Sequence, residues 1–106
     1  MKLKILAFIA IAAMTGIGSA KAAAFYDGNE ILFSCERGHL KCIFYLAGVQ
    51  DVWNDRDSKK YCMPDGVNLA ELKKVFIKYA KKNPEKLNLA ASSVTINAFR
   101  AAFPCE

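Results

Sequence analysis

The sequence predicts an all-α fold, a small four-helix domain that is stapled by disulfide bonds. Apolar residues recur at helical spacing, and no stretch shows the strict alternation that is typical of a half-buried strand. Capping residues, glycine and proline divide the periodic region into four segments. Four cysteines accompany these segments, and cross-links are common in exported domains with little core to bury.

The first 24 residues have the composition of a secretory signal peptide. Lys2 and Lys4 form a basic start, an uncharged apolar run extends to Met14, and small residues up to Ala24 suit a cleavage site. A membrane anchor is the alternative, but the apolar run is shorter than the roughly 20 residues that span a bilayer. We therefore expect residues 1–24 to be removed and residues 25–106 to form one periplasmic domain.

The basic character of the chain comes largely from this leader. The formal net charge is +5, and it falls to about +2 without Lys2, Lys4 and Lys21. Basic residues interleaved with exposed aromatics would indicate a nucleic-acid surface, and that pattern is not present. We expect no nucleic-acid or membrane partner.

The four cysteines all follow the leader, so an oxidising compartment favours two disulfide bonds. We favour Cys35 with Cys42 and Cys62 with Cys105, and the other two pairings stay open. In one unbroken helix the first pair would lie roughly 10 Å apart, which is too far for a disulfide, so this pairing requires a break at Gly38. The spacings do not match a zinc site, and we expect no metal.

The first helix should begin after Asp27, because Glu30 stands at the capping-box position and Tyr26 can pack on Ile31. Gly38 should end it.

The second helix, residues 40–53, is apolar around nearly its whole circumference, which predicts burial in a core or an interface. Gly48 should allow a neighbouring backbone to approach closely. Asp51 should be a structural carboxylate, with a hydrogen-bonding partner if it is buried.

The third helix should be capped by Asn68 and end before Pro84. Its apolar stripe faces away from a row of lysines that form either a solvated surface or one that steers an acidic partner. These lysines are Lys73, Lys74, Lys78, Lys81 and Lys82. The fourth helix, residues 89–103 with Asn88 as its cap, is again mostly apolar, so we expect a homodimer to cover the excess apolar surface.

The sequence contains few residues in a pattern that could support catalysis. His39 is the only histidine, and a thiol nucleophile beside it would need an unpaired cysteine. Asp51 and Asp55 could form a pair of acids, but nothing favours that role. We expect no enzymatic activity and no cofactor, and a rigid cross-linked scaffold with polar loops favours a binding or inhibitor protein.

Several short motifs occur in a fixed order along the chain. They are a Y-x-x-G-V-x-D segment at 45–51, a C-x-P-x-G-V segment at 62–67 and an A-F-P-C ending at 102–105, with the opening at 25–30 and the N-P-E at 83–85. Together these motifs resemble the Rap/Tai immunity family. The resemblance implies an immunity protein that protects a bacterium from toxins delivered by type VI secretion. The best-known members are helical homodimers that occlude the active sites of peptidoglycan amidases.

Two polar loops are the candidate contacts with such an effector. They contribute Asn54, Asp55, Arg56 and Asp57, and Asn83, Pro84, Glu85 and Asn88. The alternative function is a periplasmic chaperone or stress-protection protein that binds unfolded clients through apolar surface.

Overall fold

The computed structural model describes residues 24–54 and 60–106, which form four α-helices. The helices are α1 (Gly28–Glu36), α2 (Leu40–Asn54), α3 (Leu69–Lys82) and α4 (Ala91–Ala102), with a 3₁₀ turn at Pro84–Lys86. No β-strand occurs in this part of the chain, so the all-α prediction is confirmed. The predicted signal peptide up to residue 23 and the loop residues Asp55, Arg56 and Asp57 lie outside the described residues.

The start of α1 has the predicted capping box. The Asp27 carboxylate accepts the Glu30 backbone N–H at 2.9 Å, and the Glu30 carboxylate accepts the Asp27 N–H at 3.1 Å. After α1 the chain turns at Gly38, whose φ of 71° lies in the left-handed region that glycine adopts without strain.

Both predicted disulfide bonds are present. The turn at Gly38 brings the Cα atoms of Cys35 and Cys42 to 4.8 Å, and this pair is buried between α1 and α2. Cys62 and Cys105, with Cα atoms 5.0 Å apart, are exposed and join the segment before α3 to the end of the chain. The Cys62 N–H also donates to the Phe103 carbonyl at 2.8 Å.

All four helices contribute to one apolar core. Ile31, Leu46, Phe76 and Phe99 are fully buried in it. Thr95 is a buried polar residue, and its hydroxyl donates to the Ala91 carbonyl at 2.7 Å. Each buried side-chain nitrogen or oxygen among the described residues has a hydrogen-bond partner, so the core carries no unsatisfied polar group of this kind.

Within the single chain, the core covers only one side of α2, and burial of the rest in an interface stays a prediction. Only Cys42 and Leu46 of α2 are buried, because the other helices cover one side of α2. At Gly48, no atom lies within 4 Å of an added Cβ. Among the described residues, no neighbouring backbone therefore makes the close approach that the glycine would allow. Asp51 is exposed, so the condition under which it would need a hydrogen-bonding partner in the core is not met.

The α3 helix matches its prediction and α4 differs from it. The Asn68 side chain accepts the Glu71 N–H at 2.9 Å, and α3 buries one stripe. The fourth helix begins at Ala91, and no side chain caps it, so the prediction of Asn88 as its cap is wrong. The residues before Ala91 hydrogen-bond to the start of α1, which prevents them from joining the helix.

None of the described helices is both long enough and apolar enough to cross a membrane.

Candidate partner-binding surface

The loop between α3 and α4 begins with an asparagine that is already engaged. The Asn83 side-chain amide donates to the Tyr79 carbonyl at 2.9 Å, and the Asn83 backbone carbonyl accepts the Lys86 N–H at 3.0 Å. Pro84 then opens the 3₁₀ turn with a fixed φ. Asn83 therefore shapes the loop, although the sequence suggested it as a contact residue.

The far end of this loop is fixed to the beginning of α1. The Gly28 N–H donates to the Leu89 carbonyl at 3.1 Å, and the Asn29 N–H donates to the Leu87 carbonyl at 3.1 Å. The Asn29 side-chain amide reaches the Asn88 side-chain oxygen at 3.3 Å. Because its backbone is held at both ends, the loop presents its exposed side chains with little freedom left to lose on binding.

The exposed side chains of this loop form a small mixed surface. Pro84 and Glu85 are exposed as a candidate interface requires. Asn88 is also exposed, but its side-chain oxygen already accepts a hydrogen bond from the Asn29 amide. Sequence reasoning missed Lys86 and Leu89, which are also exposed here. Leu89 was assigned to the fourth helix, and nothing in its own sequence context shows that it lies in the loop with 48% of its surface exposed.

The other candidate loop follows α2. Asn54, the last residue of that helix, is exposed and lines a cavity of about 230 Å³ together with Gln50, Trp53 and Tyr61. The Tyr61 hydroxyl donates to the Gln50 side-chain oxygen at 2.8 Å. No residue of the 83–88 loop lines this cavity, so the cavity does not bring the two candidate loops together.

Two tyrosines have perturbed hydroxyl groups. Burial raises the pKa of Tyr61 above its usual 10.0, which keeps the hydroxyl protonated and donating to Gln50 at neutral pH. Burial also raises the pKa of Tyr45, and hydrogen bonding with Ser92 lowers it by a smaller amount. Both groups act as neutral hydrogen-bonding groups, so neither supplies a base near neutral pH.

The side chains that could take part in catalysis are either isolated or already in disulfide bonds. His39 is exposed at the α1–α2 turn, and its ring lies 6.2 Å from that of Phe33. All four cysteines are in disulfide bonds, so a thiol–histidine pair has no nucleophile. Over the described ranges, no three side chains among histidine, cysteine, aspartate and glutamate converge as a metal site would require.

Comparison with known proteins identifies the family. No curated protein matches the chain at a significant level. The model of a family described as Rap1a immunity proteins matches residues 27–105, a range that includes the four helices and both disulfide bonds. This agrees with the resemblance of the short motifs, and membership of an immunity family implies binding to a cognate secreted effector. The chain belongs to the Rap1a immunity proteins.

Proposed function

We propose that this chain is a periplasmic immunity protein that binds a type VI secretion effector, a peptidoglycan amidase, and blocks its active site. The match of the immunity family over residues 27–105 carries this proposal. The protein acts by occupying the cleft and performs no reaction itself. The effector class comes from the resemblance of the motifs, and the loop between α3 and α4 supplies a surface suited to the task.

The geometry of that loop supports insertion into a cleft. Leu89 offers an exposed apolar side chain, and Glu85 and Lys86 add exposed groups of opposite charge to the same loop. An apolar anchor surrounded by polar groups is the usual composition of an energetically dominant contact. Because the backbone is already ordered by Gly28 and Asn29, binding loses little conformational entropy.

The proposal is tested with the effector encoded beside the gene of this chain. Purified protein without its leader should inhibit peptidoglycan hydrolysis at a stoichiometric ratio, and its coexpression should rescue cells that export the effector. Leu89→Ala should weaken binding by about tenfold or more. Asp65→Arg, at an exposed position of the turn before α3, is the control and should bind like the parent. Failure of the parent to bind that effector would contradict the proposal.

We also propose that the protein is a homodimer in solution. Leu40, Phe44 and Val52 stand four and then eight residues apart along α2 and are 64%, 61% and 54% exposed. Gly48 completes this row, and the open space above it lets a second copy of α2 approach closely. Below, these four residues are called the α2 stripe. A face of this kind can meet its own copy about a two-fold axis and so cover apolar surface that a monomer leaves in water.

Light scattering at micromolar concentration tests the dimer. Phe44→Glu should give a monomer, because it places a charge in the apolar contact. Phe33→Glu changes an exposed phenylalanine of α1 outside the α2 stripe and should leave the dimer intact. A monomeric mass for the parent protein would exclude the dimer.

The α2 stripe also favours a second candidate function, a periplasmic chaperone that binds unfolded clients. Such a protein would suppress aggregation of reduced lysozyme, and Phe44→Glu would abolish the effect. Inhibition of one effector without any suppression of aggregation would exclude this candidate.

Export is part of the proposal. Protein recovered from the periplasmic fraction should begin near residue 25, and N-terminal sequencing measures this directly. Recovery of the chain with an intact leader from the cytoplasm would contradict it.

A further inference from the structure

A groove between α3 and α4 combines an apolar floor with a cationic rim. The cavity has a volume of about 290 Å³. Val75, Tyr79 and Ala98 provide apolar surface, and Ala101 adds a small side chain at the exposed edge. The two residues of the rim that carry charge are lysines of α3, Lys78 and Lys82.

These two lysines form a local positive site. They are four residues apart and therefore lie on the same side of α3, about one helical turn from each other. Within residues 24–54 and 60–106, the ion pair present is Lys81 with Glu36 at 3.0 Å, and neither lysine of the rim has a carboxylate partner. Two neighbouring like charges repel each other, so an incoming anion would relieve an existing repulsion.

We propose that this groove docks an acidic segment of the effector, in which carboxylates flank one apolar side chain. The apolar side chain enters between α3 and α4, and the carboxylates meet the ammonium groups of Lys78 and Lys82. This proposal rests on the proposed function and gives the protein a second contact with the same partner, separate from the 83–88 loop. The charges of the rim would also accelerate encounter with an acidic effector surface.

An anionic bilayer fits the groove less well than a peptide. Adsorption to a membrane surface requires apolar side chains that project beyond the lysines into the lipid. Here the apolar groups of the groove include Ala98, which is 1% exposed, and Ala101, whose methyl group cannot extend past a lysine. An entering side chain can reach them, whereas a flat surface cannot.

Matched variants of the charges and of the groove test the proposal by calorimetry against the effector encoded beside the gene. The double variant Lys78→Glu/Lys82→Glu should bind about tenfold or more weakly at low salt, and its affinity should depend less on salt than that of the parent. Lys41→Glu, exposed on α2 and outside the groove, should stay within about twofold.

Ala101→Trp should fill the groove, weaken binding by about tenfold and leave the salt dependence unchanged. The control is Ala70→Trp, at an exposed position near the start of α3. Helical circular dichroism and the melting temperature should match the parent for each variant, which separates lost binding from lost folding.

The outcomes distinguish the two proposals. Groove variants that bind like the parent, while Leu89→Ala binds weakly, would overturn the groove and leave the proposed function standing. If the parent does not bind the effector, the proposed function fails. In that case, a synthetic peptide with glutamates flanking a leucine tests the groove alone. Binding of the peptide should shift the amide resonances of Ala98 and Ala101. Unchanged resonances would overturn the groove proposal. Binding of phosphatidylglycerol vesicles through Lys78 and Lys82 would also overturn it.

Discussion

Gly28, the first residue of α1, lies in close contact with the loop between α3 and α4. An added Cβ would lie 2.9 Å from the Val94 Cγ2 atom and 3.0 Å from the Leu87 carbonyl oxygen. Backbone atoms cannot move aside as a flexible side chain can. The glycine is therefore required for the two backbone hydrogen bonds that fix the loop, from Gly28 to Leu89 and from Asn29 to Leu87.

Gly28→Ala should lower the free energy of unfolding by about 2 kcal/mol, because it overpacks this junction. Gly48→Ala is the matched control in α2, where no atom lies within 4 Å and alanine should stabilise the helix by about 0.5–1 kcal/mol. Urea titration of both variants in a Phe44→Glu background measures the folding of the monomer alone. Equal stability of the two variants would mean that the junction tolerates a Cβ.

Tyr61 should make the stability depend on alkaline pH. Burial raises the pKa of its hydroxyl in the folded state, so the unfolded chain loses that proton more readily. The corresponding stabilisation is complete below about pH 10 and is lost as the pH rises through and above this value. Tyr61→Phe should be about 1 kcal/mol less stable at pH 7, since it loses the bond to Gln50.

The test is the melting temperature of the parent and of Tyr61→Phe between neutral pH and about pH 11. The parent should lose stability more steeply above pH 10. Parallel curves for the two proteins would show that the hydroxyl of Tyr61 does not titrate differently on unfolding.

At the scale of the elements, the two disulfide bonds differ in exposure and in the length of chain they close. Cys35–Cys42 is buried and closes a short turn, whereas Cys62–Cys105 is exposed and closes a loop that contains both α3 and α4. The chain-entropy model gives about 4 kcal/mol for the longer loop and about 2.5 kcal/mol for the shorter one. The exposed bond is thus both the stronger constraint on the unfolded chain and the more accessible to a reductant.

The exposed Cys62–Cys105 bond should therefore be reduced before the buried Cys35–Cys42 bond. At low concentrations of a phosphine reductant, Cys62 and Cys105 should be alkylated before Cys35 and Cys42, because exposed disulfides exchange faster. Peptide mapping by mass spectrometry reads out the order. The double variant Cys62→Ala/Cys105→Ala should lose about 4 kcal/mol of stability, and a variant that melts like the parent would contradict this estimate.

Local signals in the sequence defined most element boundaries, and tertiary contacts changed the others. Asp27, Asn68 and Gly38 act at short range through caps and a left-handed turn, so their roles could be read from the chain. The start of α4 could not, because the residues after Asn88 bond to α1, which is about 60 positions away in sequence. The same distant contact moved Leu89 from the predicted helix into the candidate site.

At the scale of the whole molecule, the apolar pattern of the sequence indicated which helices carry much apolar surface. It did not indicate which side of each helix the core covers. The α2 helix is apolar all round in sequence, and only the three-dimensional arrangement shows that Leu40, Phe44 and Val52 face outwards. The groove between α3 and α4 was likewise beyond the sequence. The lysine row was evident, but Ala98 and Ala101, which complete the groove, come from another helix.

If the α2 stripe is a dimer contact, stability should depend on protein concentration. Dilution from about 100 to about 1 µM should lower the melting temperature of the parent, because association stabilises the folded chain by mass action. The Phe44→Glu variant should melt at the same temperature across this range. A parent melting temperature that does not change with dilution would argue against the dimer.

The junction of α1 with the loop between α3 and α4 also fixes where the chain enters the domain. The Tyr26 carbonyl accepts the Ala91 N–H at 2.9 Å, so Tyr26 lies beside the start of α4, next to the end of the loop that carries Leu89. A purification tag or fluorescent fusion joined just before residue 25 would therefore begin near the proposed contact loop. Probes placed after Glu106 would avoid this obstruction, and assays with amino-terminal fusions should underestimate protection.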